Sequence, residues 1–332
     1  MILDGTLPQS IAQAAYALQR GDLVGLPTET VYGLAADAGN EAAVAQIFAT
    51  KGRPPNHPLI VHVASAEDVP AFAGQVPAFA QHLMAAFWPG PLTLILPRRP
   101  CVGAAAAGGQ DSIGLRCPAH PVALALLQAC AAHGIQGLAA PSANLFGRVS
   151  PTTAAHVQAE LGRDLLVLDG GACTVGIEST IIDCTRGAPV LLRPGQISRA
   201  QIQVACGLAV LDKDAMHTMQ APAPRASGTL ESHYAPRAKV RLLSAQDILD
   251  KLQALGPHAN NLGVWSVQRP DDGLGAGVLW RAQPTTAEQA AHDLFTVLRD
   301  LDARGVLQIW VQQPPDTPAW EGVRDRLQRA AA

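Results

Sequence analysis

The sequence predicts a two-domain α/β protein, on three observations. Short apolar runs of strand length alternate with helical patterns over the first 200 residues, a connector without apolar periodicity follows from about Leu211 to Ala238, and the alternation then resumes in a smaller unit. A chain of 332 residues, 48% of them hydrophobic, can bury a substantial core and is long enough for two domains rather than one.

Leu7, Ile11, Ala14, Ala15 and Leu18 recur at helical spacing, and Gly21 ends that helix before the apolar run Leu23–Leu26. Further strand-length runs stand at Leu59–Val63, Leu92–Leu96, Ile113–Leu115, Leu165–Leu168, Thr180–Ile182 and Val190–Leu192, separated by helical patterns such as Pro121–Ala132 and Thr152–Leu161. These elements predict a mixed α/β domain over residues 1–205. The connector, placed at 206–238, is rich in Pro, Ala, Ser, Gly and His, and connectors of this length are either disordered or functional. Residues 239–332 predict a small α/β domain: Val240–Leu243, a helix through Leu255, Leu262–Trp265, a helix across Ala287–Ala303, Leu307–Val311 and a terminal helix from Trp320. Gly273–Gly277 superficially resembles a dinucleotide loop, but no strong strand leads into it and Pro284 blocks an immediate helix, so a flexible loop is expected.

The N-terminus has no basic region followed by an apolar run, and Gln128, His133 and Gln136 interrupt the most apolar later stretch, so neither secretion nor membrane insertion is expected. Six cysteines without a C-x-x-C pair indicate neither a zinc site nor a disulfide framework, and reduced thiols in a cytoplasm are the expectation. A net charge of −3 argues against a broad nucleic-acid-binding face while leaving a local basic cleft possible. Arg outnumbers Lys twenty to four, so a Lys inside a motif calls for a chemical explanation.

Five segments can carry chemistry. Leu26–Ala35, LPTETVYGLA, ends an apolar strand in hydroxyls and a carboxylate, which suits a ligand site or a turn in which Thr28 or Thr30 caps a following helix. In Lys51–His62, Lys51 and Arg53 stand beside Pro54, Pro55 and Pro58, a stiff cationic loop suited to a polyanion; the alternative is an exposed basic turn. Strand alternation there puts Ile60 and His62 on one face and Leu59, Val61 and Val63 on the other. Arg116 ends a short strand, where it can fork onto a carboxylate or form a structural ion pair. Ala139–Ser150 offers Ser142, Asn144 and Ser150 among small residues, as a ligand loop or a plain turn, and Gly176–Asp183 leads to Arg193, locked by Pro194. The chain has no G-x-x-x-x-G-K-[ST] loop, no H-E-x-x-H and no G-x-S-x-G, so P-loop phosphotransfer, zinc proteolysis and elbow-serine hydrolysis are unsupported.

Taken together and in order, the segments PTETVYGLAADA (27–38), KGRPPNHPLIVHV (51–63), FWPGPLTLIL (87–96), GLRCPAHP (114–121), APSANLFGRVSPT (140–152), GIESTIID (176–183), LLRPGQIS (191–198) and SHYAP (232–236) resemble the YrdC-like threonylcarbamoyl-AMP synthase family in its long, two-domain form. Residues after 238 resemble the extra domain of that form only in length, position and α/β pattern. The resemblance implies a twisted mixed sheet with flanking helices and a ligand cleft, followed by a small Rossmann-like domain. It implies a nucleotidyltransferase that condenses L-threonine, bicarbonate and ATP, with Mg²⁺ held mainly by the phosphates, to threonylcarbamoyl-AMP and pyrophosphate. Other proteins then pass the threonylcarbamoyl group to the tRNA adenosine beside the anticodon.

By the same resemblance, Lys51 and Arg53 neutralise the triphosphate. His57, Ser142, Asn144, Ser150, Arg193 and Tyr234 complete the ATP site, although His57 stands where some relatives carry Asn. Thr30, His62, Arg116, Ser179 and the backbone of Ala140 hold threonine. The connector becomes a lid that brings Tyr234 to the nucleotide. A cytoplasmic monomer with transient contacts to tRNA and the transfer proteins is expected. A double-stranded RNA-binding or ribosome-maturation module without nucleotidyl transfer is the alternative, as is carbamoyl transfer through a carbamoyl-adenylate, against which the absence of zinc-finger cysteines speaks.

Overall fold

The computed structural model describes residues 1–213, 224–229, 233–269 and 277–332. The expected connector therefore lies partly, and the glycine loop Gly273–Gly277 almost wholly, outside the described residues. The chain divides into two compact units, one formed by Met1–Phe146 and Ser150–Thr229, the other by Gly147–Val149 and Leu230–Ala332.

The first unit runs β1 (Ile2–Asp4), α1 (Pro8–Gln19), β2 (Val24–Leu26), β3 (Gly33–Asp37), α2 (Glu41–Lys51), β4 (Ile60–His62), α3 (Ala78–Phe87), β5 (Leu92–Pro97), β6 (Ser112–Arg116), α4 (Pro121–Ala131), β7 (Leu138–Ala139), α5 (Ala154–Leu161), β8 (Leu166–Asp169), β9 (Thr180–Asp183), β10 (Val190–Arg193), α6 (Arg199–Cys206) and β11 (Leu211–Asp212). Its strands form one mixed sheet in the order β1-β8-β2-β3-β7-β4-β6-β5-β9-β10-β11. The expected mixed α/β class is what the structure has.

Two apolar clusters sandwich this sheet. Ile11, Leu18, Val122 and Leu126 of α1 and α4 pack with Val24 and Leu26. Val44, Ile47, Leu83, Val157 and Ile202 of α2, α3, α5 and α6 pack with Leu34, Val61 and Leu94.

The strands β3 and β7 were not legible in the sequence, because both are short and rich in Gly and Ala. They become strands only by pairing, Val24 with Ala35 and Ala36 with Ala139. The element after Thr28 and Thr30 is therefore a strand antiparallel to β2, and not the helix that one of them would have capped. Helix α2 was missed because its apolar residues spread around the helix. Asn40 starts it by accepting from the Ala43 N–H at 3.1 Å, and Gly52, at φ 60°, closes it. Val44, Ile47, Phe48 and Lys51 fall on its buried face, so helical spacing alone carries the Lys51 side chain inward.

The second unit is a parallel four-stranded sheet in the order β12-β15-β13-β14, from β12 (Lys239–Leu243), β13 (Leu262–Ser266), β14 (Val278–Ala282) and β15 (Gln308–Gln312), with helices α7 (Ala245–Leu255), α8 (Ala287–Ala303) and α9 (Glu321–Ala331). The edge strand β14 was absent from the sequence reading, since its half-exposed Val-Leu-Trp-Arg-Ala shows no alternation. Within this unit Tyr234 is buried, its ring 5.4 Å from that of Phe295 and 4.1 Å from that of His233, with the Arg326 guanidinium over it. Gly147–Val149 are held here by the Ala235 N–H on the Gly147 carbonyl, by Arg148 on Asp302 and by the Arg299 guanidinium on the Val149 carbonyl.

Gly52 offers a clean test of local strain. A Cβ added there meets nothing within 4 Å, so Gly52→Ala pays only the left-handed backbone penalty, about 1–2 kcal/mol, read as a lower urea midpoint with an unchanged denaturant slope.

Candidate active site

The strand residues of the site, His62, Thr93 and Arg116, lie on the sheet face opposite the Val61 cluster, and Lys51 reaches the site from the end of α2. Register places Ile60 beside Gly114 and Gly114 beside Ile95, while Thr93 lies beside Ile181 and His62 beside Arg116. The pleat turns Val61 into the helix-covered core and Ile60 onto the other face, as its alternation predicted. Ala226 of the connector packs against the small apolar group of Ile60, Ile95, Ile181, Val190 and Leu192 on that face.

Lys51 is buried and its Nζ donates to the carbonyl of Ser142 at 2.5 Å and to that of Asn144. Its own carbonyl accepts from the Phe146 N–H at 2.8 Å, so α2 and the 142–146 loop hold each other. Burial, with the Arg53 charge beside it, pushes Lys51 down to about 7. Arg53, also buried, donates to the Pro58 carbonyl at 2.9 Å and to Ser227 Oγ at 3.1 Å, and its guanidinium lies over the Phe146 ring. The half-buried His57 meets the same ring edge-on at 5.4 Å, and burial together with Arg53 and Arg225 lowers its pKa.

Arg193 extends the cationic group. Its Nη2 donates to the Ser179 carbonyl at 2.9 Å and to Ser179 Oγ at 3.1 Å, and its Nη1 donates to the Ser227 carbonyl at 2.8 Å. Ser227 thus accepts from Arg53 through its hydroxyl and from Arg193 through its carbonyl. Ser179 Oγ lies 2.7 Å from Thr93 Oγ1, and the Ser150 hydroxyl donates to Glu178. Gly195 lets the chain leave β10 against β9, since an added Cβ would stand 2.5 Å from the Thr180 nitrogen.

A second polar group centres on Arg116. Its Nη1 donates to Thr30 Oγ1 at 2.8 Å, its Nε donates to the Gly90 carbonyl at 3.3 Å, and its Nη2 lies 2.6 Å from Glu29 Oε1 in an ion pair buried at both ends. Thr28 Oγ1 lies 2.9 Å from Thr30 Oγ1 and donates to the Val31 carbonyl, which shapes the turn. His62 is buried, and burial with the Arg116 charge pushes its pKa down to about 3, so the imidazole is neutral. The Ala140 N–H is committed to the Ile60 carbonyl at 3.0 Å.

The first unit thus holds Thr30, Lys51, Arg53, His57, His62, Arg116, Ala140, Ser142, Asn144, Ser150, Ser179 and Arg193. They fall into a cationic group around Lys51, Arg53 and Arg193 and a second polar group around Arg116. Tyr234 belongs to the second unit. Glu29, Thr93, Glu178 and Ser227 stand among these groups without having been singled out. Thr93 was signalled by its position between Leu92 and Leu94 in an apolar strand, and Ser227 by its place in the decorated connector. Among the described residues no group of three His, Cys, Asp or Glu side chains could hold a metal ion, and no helix is long and apolar enough to cross a membrane.

Two family models match the chain. One, described as "Telomere recombination", covers residues 16–195, and the other, described as "Threonylcarbamoyl-AMP synthase, C-terminal domain", covers residues 197–332. A threonylcarbamoyl-AMP synthase of Bacillus subtilis is 39% identical over 97% of this chain and 92% of its own length, and one of Pyrococcus abyssi is 36% identical over 96% and 93%. The crystal structure of P. abyssi Sua5 complexed with L-threonine superimposes with a TM-score of 0.86 at 36% identity, covering 97% of this chain and 94% of that one.

With only four lysines in the chain, the Lys51 titration can be followed directly. In protein carrying ¹³C-labelled lysine, one Cε resonance is expected to titrate near pH 7, charged below and neutral above, and to vanish in Lys51→Met.

Proposed function

The chain belongs to the threonylcarbamoyl-AMP synthase family, and on that premise we propose how its residues divide the reaction. Its activity is the synthesis of threonylcarbamoyl-AMP from L-threonine and ATP. The observation that carries the division is the seating of Lys51, Arg53 and Arg193, three buried cations whose acceptors include the carbonyls of Ser142, Asn144, Pro58, Ser179 and Ser227. Carbonyl acceptors orient a cation without themselves cancelling its charge, and three cations so oriented suit a polyanion.

In this reading Lys51, Arg53 and Arg193 receive the triphosphate, with His57 at its edge, and Mg²⁺ arrives as part of the ATP complex, held by phosphate oxygens. Ser142, Asn144 and Ser150 hold the nucleotide from the loop that Lys51 fastens, and Tyr234 is the connector's contribution to it. Threonine places its carboxylate on Arg116 and its hydroxyl among Thr30, Ser179 and His62, with the Ala140 backbone beside it. The free amine and bicarbonate give the carbamate and water. A carbamate oxygen then forms a bond to the α-phosphorus as the bond to the β-phosphate oxygen breaks, and pyrophosphate leaves with the electron pair. No enzyme nucleophile is required. Burial pushes the Cys117 thiol up to about 11 and the Cys173 thiol higher still, so both stay protonated. Positioning and charge neutralisation supply the acceleration.

In the same reading the product is passed to tRNA by other proteins, the reaction is cytoplasmic, and the enzyme acts as a monomer whose connector closes over the cleft as a lid.

Pyrophosphate is expected from ATP only when threonine and bicarbonate are both present, with mass spectrometry showing threonylcarbamoyl-AMP rather than AMP or carbamoyl-AMP. Lys51→Ala should lower kcat by roughly 10²–10³-fold, and Tyr234→Ala should weaken ATP binding. Tyr234→Ala with unaltered synthesis and ATP affinity would return the connector to a tether. ATP binding restores the Lys51 charge, so at pH 8 it should take up a proton, and affinity should fall as pH rises above about 7. Calorimetry in buffers of different ionisation enthalpy reads that proton.

A further inference from the structure

Glu29 is a buried carboxylate to which the division of roles above gives no task. It is 6% exposed and ion-paired through Oε1 with Arg116 Nη2 at 2.6 Å, while neither carboxylate oxygen makes a hydrogen bond of good geometry among the described residues. Its main chain is fixed by the Val175 N–H, which donates to the Glu29 carbonyl at 2.7 Å. The neighbouring His62 also has a buried nitrogen, Nδ1, without a hydrogen bond among the described residues. Buried polar atoms are almost always satisfied, and an unsatisfied oxygen and nitrogen beside a paired guanidinium mark a place built for a polar ligand.

The pairing of Arg116 determines the charge of that ligand. Nε and Nη1 of Arg116 are committed to Gly90 and Thr30, and Nη2 is held by Glu29. A ligand bringing only a carboxylate would take Nη2 from Glu29 and leave that carboxylate buried and unpaired, which is strongly unfavourable. A ligand bringing both a carboxylate and an ammonium a few ångströms apart exchanges one ion pair for two. We propose that Glu29 is the ammonium subsite of this pocket, and that the Glu29–Arg116 pair is a placeholder which an α-amino acid zwitterion replaces, its carboxylate on Arg116 and its ammonium on Glu29.

This assignment rests on the reading of Arg116 as the threonine carboxylate site and adds the selectivity that Arg116 alone lacks. The neutral His62 imidazole, in register with Arg116, puts no second positive charge against the ammonium. After carbamate formation the nitrogen keeps one N–H, which the same carboxylate oxygen can accept.

The test is calorimetric titration of the full chain and of Glu29→Gln with L-threonine and with (R)-3-hydroxybutyrate, which is threonine without its amine. Glu29→Gln should weaken threonine between roughly tenfold and a hundredfold, the range of one buried charge-assisted hydrogen bond. The same change should tighten (R)-3-hydroxybutyrate, because its carboxylate no longer competes with Glu29 for Arg116. Glu29→Asp, which keeps the charge, should keep the preference for threonine, and serves if the Gln variant does not fold. A proportional loss of both ligands, or unchanged threonine affinity, overturns the subsite and assigns Glu29 to holding Arg116 in place. Failure of the unaltered protein to bind threonine at all overturns the threonine reading of the pocket and the subsite with it.

Discussion

The pleat of the central strands is the constraint on which the first unit depends. Successive residues of a strand must face opposite ways, so four neighbouring strands can present an apolar face to helices and a polar face to a ligand without sacrificing either. Val61, Leu94, Leu115 and Ile182 are the apolar half of that arrangement, all in one cluster with α2 and α3. His62, Arg116 and Thr93 are the other half, brought side by side by the register of β4, β6, β5 and β9. A slip of one residue in any of these pairings would send a charged or polar group into the core, and that penalty specifies the register.

Around the site the dominant problem is the burial of cations. Lys51, Arg53, Arg116 and Arg193 are each less than 7% exposed. Two solutions coexist. Arg116 carries a carboxylate partner, whereas the acceptors around Lys51, Arg53 and Arg193 include a succession of carbonyls and hydroxyls. The first keeps the charge balanced until a ligand with both signs arrives. In the second, burial first and the neighbouring Arg53 charge after it bring Lys51 close to losing its proton in the free protein. A triphosphate suits the second group and an amino acid the first, which is the basis of the proposed division of the two substrates.

The connector takes part in this seating. Ser227 accepts from Arg53 and Arg193, Ala226 covers the apolar patch, and Gln110 accepts from the Arg225 N–H at 2.7 Å. The stretch that reads as a linker is therefore folded onto the first unit at its 224–229 end, while Tyr234, only a few residues on, is buried in the second. The sequence marked this stretch as unusual because hydroxyls and aromatics gather where a tether needs none. It could not separate Ser227 from Tyr234, since nothing local distinguishes a hydroxyl bonded to two arginines from one in water.

Local sequence by itself determined the α/β class, the strands with clear alternation or strong apolar runs, and which motif residues are candidates for the chemistry. These properties follow from nearest neighbours along the chain: Ile60 and His62 share a face because a strand has a period of two. Tertiary structure decided the rest. The strands β3, β7 and β14 exist only through their partners. Lys51 is buried because α2 forms and rolls its last turn inward. Glu29, one carboxylate among twenty-seven acidic residues in the chain, stands out only once Arg116, 87 positions later, is brought to 2.6 Å from it. Pairing, burial and charge balance depend on residues far apart in sequence, and no local pattern encodes them.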